Sequence, residues 1–151
     1  PTPGVEPISI DSLPIVVADT QDTHDTQQLQ EWLQDRLRVR DKVLIDSLLR
    51  VVDLVEQGKA ALLRGDLETL GELMNQQQIE ENIMGTATER LNIFCKTAMD
   101  AGAWGAKQMG AGGGGCAVVL CPPEKKITIQ AALAALGAPA WTFEIYHNPS
   151  K

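Results

Sequence analysis

The chain has 151 residues, 44% of them hydrophobic, and a formal net charge of -7. That length accommodates one ordinary domain with a core, and the composition is that of a globular protein rather than a disordered one. The acidic balance argues against a nucleic-acid or anionic-membrane surface, no apolar run reaches the about 18 residues of a membrane span, and the opening PTPGVEPISI lacks a signal-peptide pattern, so the expectation is a soluble cytoplasmic protein.

Residues 1–12 hold three prolines and a glycine and read as a linker or tail before a domain over 13–151. LPIVVAD, Leu13 to Asp19, is a β-branched run suited to a buried strand. Asp19 and Thr20 at its end suit a turn built on side-chain-to-backbone bonds. Leu29, Trp32, Leu33 and Leu37 then recur at helical spacing, and the interrupted basic cluster Arg36, Arg38, Arg40, Lys42 reads as a solvated face. From Asp41 to Arg64 the stripe Leu44, Leu48, Val51, Val52, Val55, widened by Ile45, Leu49 and Leu62, predicts a helix with that face inward. Gly65 is its expected stop and Asp66 the N-cap of the next helix, along which Leu67, Leu70, Leu73 and Met74 lead to Ile79 and Ile83. After Gly85, Thr86 and Glu89 have capping-box spacing for a helix carrying Leu91, Phe94, Cys95, Ala98 and Met99 and ending at Gly102.

AWGAKQMG and CAVVLC read as two strands flanking a glycine run. Pro122 and Pro123 can open a helix with Ile127, Ala131, Ala134 and Leu136, ending at Gly137, and AWTFEIYH alternates like a strand. The order strand, helices, strand, strand, helix, strand predicts an α+β fold, with an antiparallel sheet of about four strands against a helical layer. The cysteines, Cys95, Cys116 and Cys121, are odd in number with no C-x-x-C pair, and read as buried free thiols, the last two on opposite sides of a strand. His24 and His147 have no neighbouring ligand set, so no metal site is signalled. Trp32, Trp104 and Trp141 read as core or interface residues, because no basic residues interleave with them.

Five of the six residues from Gly110 to Gly115 are glycine. The letters fit G-x-G-x-x-G, but a strand follows where the dinucleotide fingerprint needs a helix, and no Lys-Ser or Lys-Thr follows as a P-loop requires. A two-residue hairpin turn needs one or two glycines, so five point to a loop that approaches a ligand closely.

AGAWGAKQMGAGGGGCAVVL closely resembles the third conserved motif of the GHMP kinases. LPIVVADTQDTHDT is similar to the strand and turn opening their second lobe in mevalonate kinases, GKAALLRGDLETLGELMNQQQ to their helical pair ending in Met-Asn, and GTATERLNIFCKTAMDAGA to the helix before the glycine motif. The resemblance covers most of Leu13 to Leu120 in the family's order. It implies a C-terminal lobe of ferredoxin-like type from an ATP- and Mg²⁺-dependent kinase that phosphorylates a hydroxyl or phosphate of a small molecule, a hydroxyl in the mevalonate kinase-like case. By the same resemblance, Gly110, Ala111, Gly112, Gly113, Gly114 and Gly115 would brace the phosphate loop of the other lobe and close against substrate or transferred phosphate, with backbone N–H groups as donors. Lys107, the nearest cation, either points into the cleft or lies on the outer face of its strand, and is the candidate substrate contact. Met109 stands where mevalonate kinases usually carry threonine; some heptose kinases have an apolar residue there. It reads as a packing residue. No segment resembles the glycine-serine loop or the catalytic aspartate and lysine of the N-terminal lobe, so no catalytic residue is assigned. The partners implied are that lobe, a small-molecule substrate, and a second copy where the lobe-facing surface is left open. A non-catalytic metabolite-binding module reusing the fold is the competing expectation.

Overall fold

A computed structural model of the chain describes residues 8, 10, 12–23 and 25–145. The expectations for His24, for His147 and for most of the opening tail fall outside those residues. The elements are β1 (Leu13–Asp19), α1 (Thr26–Arg38), α2 (Lys42–Leu63), α3 (Leu67–Met84), α4 (Glu89–Asp100), β2 (Gly105–Gln108), β3 (Cys116–Leu120), a 3-10 turn (Pro123–Lys125), α5 (Lys126–Ala134) and β4 (Ala140–Ile145). The four strands form one sheet in the order β2-β3-β1-β4, every neighbouring pair antiparallel. This is the ferredoxin-like arrangement expected from the sequence.

One face of the sheet carries the core. Val16, Ala18, Ala106, Ala117, Val119 and Cys121 meet Leu91, Phe94, Cys95 and Ala98 of α4 and Ile129 and Leu133 of α5. The alanines on the strands leave room for α4 to come close. The α5 face differs from the expected one: Ile129 and Leu133 are buried while Ile127 is 68% exposed. The helix KITIQAALA has apolar residues on several sides, so spacing alone cannot select the inward one.

The helical hairpin α2–α3 shows the same effect more strongly. Its buried α2 residues are Leu44, Ser47, Leu54, Gly58 and Ala61, whereas Leu48, Leu49, Val52 and Val55 are exposed. Three of these five, Ser47, Gly58 and Ala61, are small, and a Cβ at Gly58 would stand at an ordinary contact distance, 3.4 Å, from Leu70 Cδ1. On α3, Leu73 is buried but Ile79 and Ile83 are exposed. Glu80 instead turns to α2, where Arg50 Nε donates to it at 2.7 Å and holds its carboxyl below the ordinary value.

Helix ends follow local chemistry. Asp25, Asp41, Asp66 and Thr88 accept N–H groups at the starts of α1, α2, α3 and α4, and Gly85 ends α3 with φ 81°. Thr88, not Thr86, is therefore the cap of α4, and Thr86 is free for another task. Helix α1 buries no residue. It is tied down through Arg36, which donates to Met84 O at the end of α3 (2.5 Å) and to Asp41 Oδ2 (2.7 Å) and lies 4.7 Å from the Trp32 ring centroid. Arg36 thus departs from the solvated reading, while the Arg38–Asp35 and Lys42–Asp46 pairs on the surface keep to it.

Strand β2 is an edge of the sheet, and an open edge leaves backbone groups without partners. Helix α3 covers it. Asn75 Nδ2 donates to Trp104 O (3.1 Å) while Asn75 Oδ1 accepts from Ala106 N–H (2.9 Å), and Gln78 Oε1 accepts from Gln108 N–H (2.8 Å). Two glycines permit the approach: a Cβ on Gly71 would lie 2.5 Å from the Trp104 carbonyl carbon, and one on Gly105 would lie 2.0 Å from Gly71 O. Trp104 is half-buried at this contact, whereas Trp32 and Trp141 are exposed. Gly71→Ala must push α3 off the strand and is expected to lower stability by about 3 kcal/mol or more, as overpacking does. Urea unfolding followed by circular dichroism checks this, with Gly58→Ala as the comparison, since a Cβ there would make only an ordinary 3.4 Å contact with Leu70 Cδ1.

Candidate functional site

The glycine loop joins β2 to β3, and Met109 N–H closes it onto Cys116 O at 2.8 Å. All five glycines have positive φ: 73° at Gly110, 90° at Gly112, 77° at Gly113, 142° at Gly114 and 82° at Gly115. A residue with a side chain pays about 1–2 kcal/mol for each left-handed conformation, so the run of glycines is a backbone requirement. At Gly112 there is also a steric one. A Cβ there would lie 2.2 Å from Thr86 O and 2.5 Å from Gln108 Nε2.

Two neighbouring loops hold this one. Gly113 N–H donates to Thr86 O at 2.7 Å, in the turn between α3 and α4. On the other flank, Thr20 N–H (2.9 Å) and Thr20 Oγ1 (2.7 Å) both donate to Gly115 O. Thr20 and Asp19 also make the expected turn, accepting from Asp22 N–H (3.3 Å) and Gln21 N–H (2.9 Å). Among the described residues, the N–H groups of Gly110, Ala111, Gly112, Gly114 and Gly115 have no hydrogen-bond partner. Free backbone N–H groups in turns are the donors from which anion-binding concavities are built.

Behind the loop lies a buried polar cluster that sequence patterns did not reveal. Gln108 and Thr86 are almost wholly enclosed, and Glu81 and Gln78 nearly so. Gln108 Nε2 donates to Glu81 Oε2 at 3.1 Å, and Thr86 Oγ1 donates to the same oxygen at 2.5 Å. Beside Gly113 an open cleft of about 460 Å³ is lined by Thr23, Asp25, Gln28, Leu29 and Trp32. The only sequence hint of that wall was the polar turn leaving β1.

Lys107 lies on the side of β2 opposite Ala106 and Gln108, as alternation requires, and its Nζ donates to Gln108 O at 3.0 Å. Burial lowers its pKa, against the opposing pull of Glu81. Met109 is 45% exposed at the mouth of the loop and does not join the core, contrary to the packing role expected of it. Burial pushes the Cys95 thiol to about 12 and Cys121 to about 11, so neither supplies a thiolate at neutral pH. Cys116 departs from the expected burial, being half-exposed at the start of β3; burial first, and the charge of Asp19 second, raise its thiol as well. The loop thus offers unpaired backbone donors, and Glu81, the buried carboxylate behind it, is engaged by its neighbours.

The antiparallel four-stranded sheet, the helix closing its β2 edge and the glycine loop between β2 and β3 define the chain as an α+β domain of ferredoxin-like type. Residues 59–138 match the family model described as GHMP kinases C terminal, and the chain belongs to that family. Its relatives there include the mevalonate kinase of Thermococcus gammatolerans, 34% identical over 143 residues, covering 91% of this chain and 42% of the relative. The mevalonate kinase of Pyrococcus horikoshii is likewise 34% identical, over 142 residues, with 91% and 42% covered. Among solved structures, L. major mevalonate kinase in complex with R-mevalonate superposes with a TM-score of 0.83 at 27% identity, covering 93% of this chain and 45% of that one. The chain therefore spans about 42% of the length of the curated relatives it matches.

Alanine at two loop positions separates conformation from contact. Gly110→Ala, facing open space at φ 73°, is expected to cost about 1–2 kcal/mol. Gly112→Ala adds the collision with Thr86 O and is expected to cost about 3 kcal/mol or more, read in urea unfolding of both variants.

Proposed function

We propose that this chain is the C-terminal lobe of an ATP-dependent small-molecule kinase of mevalonate kinase type, over residues 13–151, which transfers the γ-phosphoryl group to a substrate hydroxyl. The observation that carries the reading is the loop Gly110–Gly115, whose unpaired N–H groups face no protein acceptor among the described residues. Phosphoryl transfer is catalysed mainly by positioning and by neutralising charge on the transferred group. Backbone donors held rigid by Thr86 and Thr20 serve that purpose, and the lack of side chains lets them approach the phosphate. Lys107, at the base of the loop, adds a cation for substrate or phosphate.

In this reading the described residues do not complete the site. Among the described residues no three His, Cys, Asp or Glu side chains could together hold a metal ion. Mg²⁺ would be carried by the nucleotide phosphates and by groups of an N-terminal lobe, which also supplies the nucleophile-orienting residue. Bound there, the metal would neutralise phosphate charge. Met109, exposed at the loop mouth where mevalonate kinases usually carry threonine, favours a second reading of the acceptor as a sugar hydroxyl.

The test joins this chain to the N-terminal portion of the T. gammatolerans relative and measures ADP release with R-mevalonate, and separately with hexoses and heptoses. The proposal expects acceptor-dependent release from the joined protein and none from the chain alone. Sugar-dependent release without a mevalonate response would select the second reading. A joined, folded protein that binds metabolite with no turnover on any acceptor would contradict the kinase assignment and favour a binding module.

A further inference from the structure

Burying a carboxylate costs free energy unless hydrogen bonds repay it, and replacing such groups by apolar ones is often neutral for stability. Glu81 is nevertheless placed on the buried side of α3, directly behind the glycine loop, with about 8% of its surface exposed. Its Oε2 receives both Gln108 Nε2 (3.1 Å) and Thr86 Oγ1 (2.5 Å), and its Oε1 receives Gln77 Nε2 at 3.4 Å. Each of the first two partners also touches the loop. The Gln108 amide is the floor under Gly112, and the Thr86 carbonyl holds the Gly113 N–H.

The arrangement carries a mark of imposed orientation. Gln108 Oε1 is buried and has no hydrogen-bond partner. Turning the amide over would give Oε1 a different neighbour but would set it against the Glu81 carboxylate oxygen. The carboxylate therefore fixes which way the amide faces, at the expense of an orphaned acceptor. Apolar contact could fill the same space, but it has no direction and would not set the azimuth of the amide or of the Thr86 turn.

We propose that Glu81 is a positioning residue for phosphate binding: through Gln108 and Thr86 it sets the conformation in which the loop Gly110–Gly115 presents its N–H groups. Glu81 does not touch the ligand. Its influence travels along two arms, one beneath Gly112 and one through the Thr86 carbonyl to Gly113. The inference rests on the reading of the loop as a phosphate cradle.

The experiment uses the 151-residue chain labelled with ¹⁵N, amide hydrogen exchange at Gly113, and titration with inorganic pyrophosphate followed at the glycine amides. In Glu81→Leu/Gln108→Leu no buried side-chain donor is stranded, because Thr86 Oγ1 retains the Glu81 backbone carbonyl at 3.1 Å. That variant is expected to keep its unfolding midpoint while Gly113 exchanges at least about tenfold faster and pyrophosphate affinity falls about tenfold. Glu81→Gln, whose amide oxygen can accept both donors, is expected to restore both readouts most of the way. Thr86→Val, which removes one arm, provides the comparison if the double variant does not fold, and is expected to lose part of the Gly113 protection. Unchanged Gly113 exchange and unchanged affinity in a folded variant would overturn the proposal. If the unaltered chain shows no pyrophosphate response, the cradle reading fails by itself, and Gly113 exchange across the variants still decides whether Glu81 positions the loop.

Discussion

A β-strand at the edge of a sheet must find partners for every second N–H and C=O along its outer side. In this chain the edge is β2, and α3 meets the need with two side chains one turn apart, Asn75 and Gln78, bonded to Trp104, Ala106 and Gln108. Close contact of Gly71 with Gly105 makes that reach possible. The registration has consequences beyond the strand. Once Asn75 and Gln78 are seated, the next turn of α3 brings Glu81 beneath the start of the loop, and the helix end at Gly85 delivers Thr86 against Gly112 and Gly113. The loop conformation is thus inherited from how a helix closes a sheet edge.

This dependence explains which parts of the molecule could be read from the sequence. Local signals were sufficient for the strand Leu13–Asp19, for the stop at Gly65 with the cap at Asp66, and for the hairpin around the glycines, because each is decided by a residue and its immediate neighbours. The inward faces of α2 and α5 were not, since both helices carry apolar residues on several sides. On α2 the buried face is Leu44, Ser47, Leu54, Gly58 and Ala61, while the apolar Val52 and Val55 stay exposed. Hydrophobicity marks what can be buried; fit decides what is.

The candidate site divides in the same way. The glycines were conspicuous in one dimension, and the need for positive φ at all five accounts for them. Gln78, Glu81 and Gln108 carried no local signal, because their burial arises from contacts 27 to 30 residues apart. Thr86 was read as a helix cap from its spacing to Glu89. The neighbouring Thr88 takes that role, and the hydroxyl of Thr86 turns to Glu81 instead. In the kinase proposed here, substrate chemistry would lie mainly with residues of another lobe, and this chain's part would be to present rigid backbone donors.

The most direct test of the account is whether the sheet edge and the loop open as one unit. Amide hydrogen exchange would be measured at Ala106, Gln108 and Gly113 in the unaltered chain and in Asn75→Ala. If α3 sets the loop through the β2 edge, removing the Asn75 side chain should raise exchange at all three amides together, although Gly113 is bonded to neither Asn75 nor β2. Faster exchange at Ala106 with full protection retained at Gly113 would contradict the account.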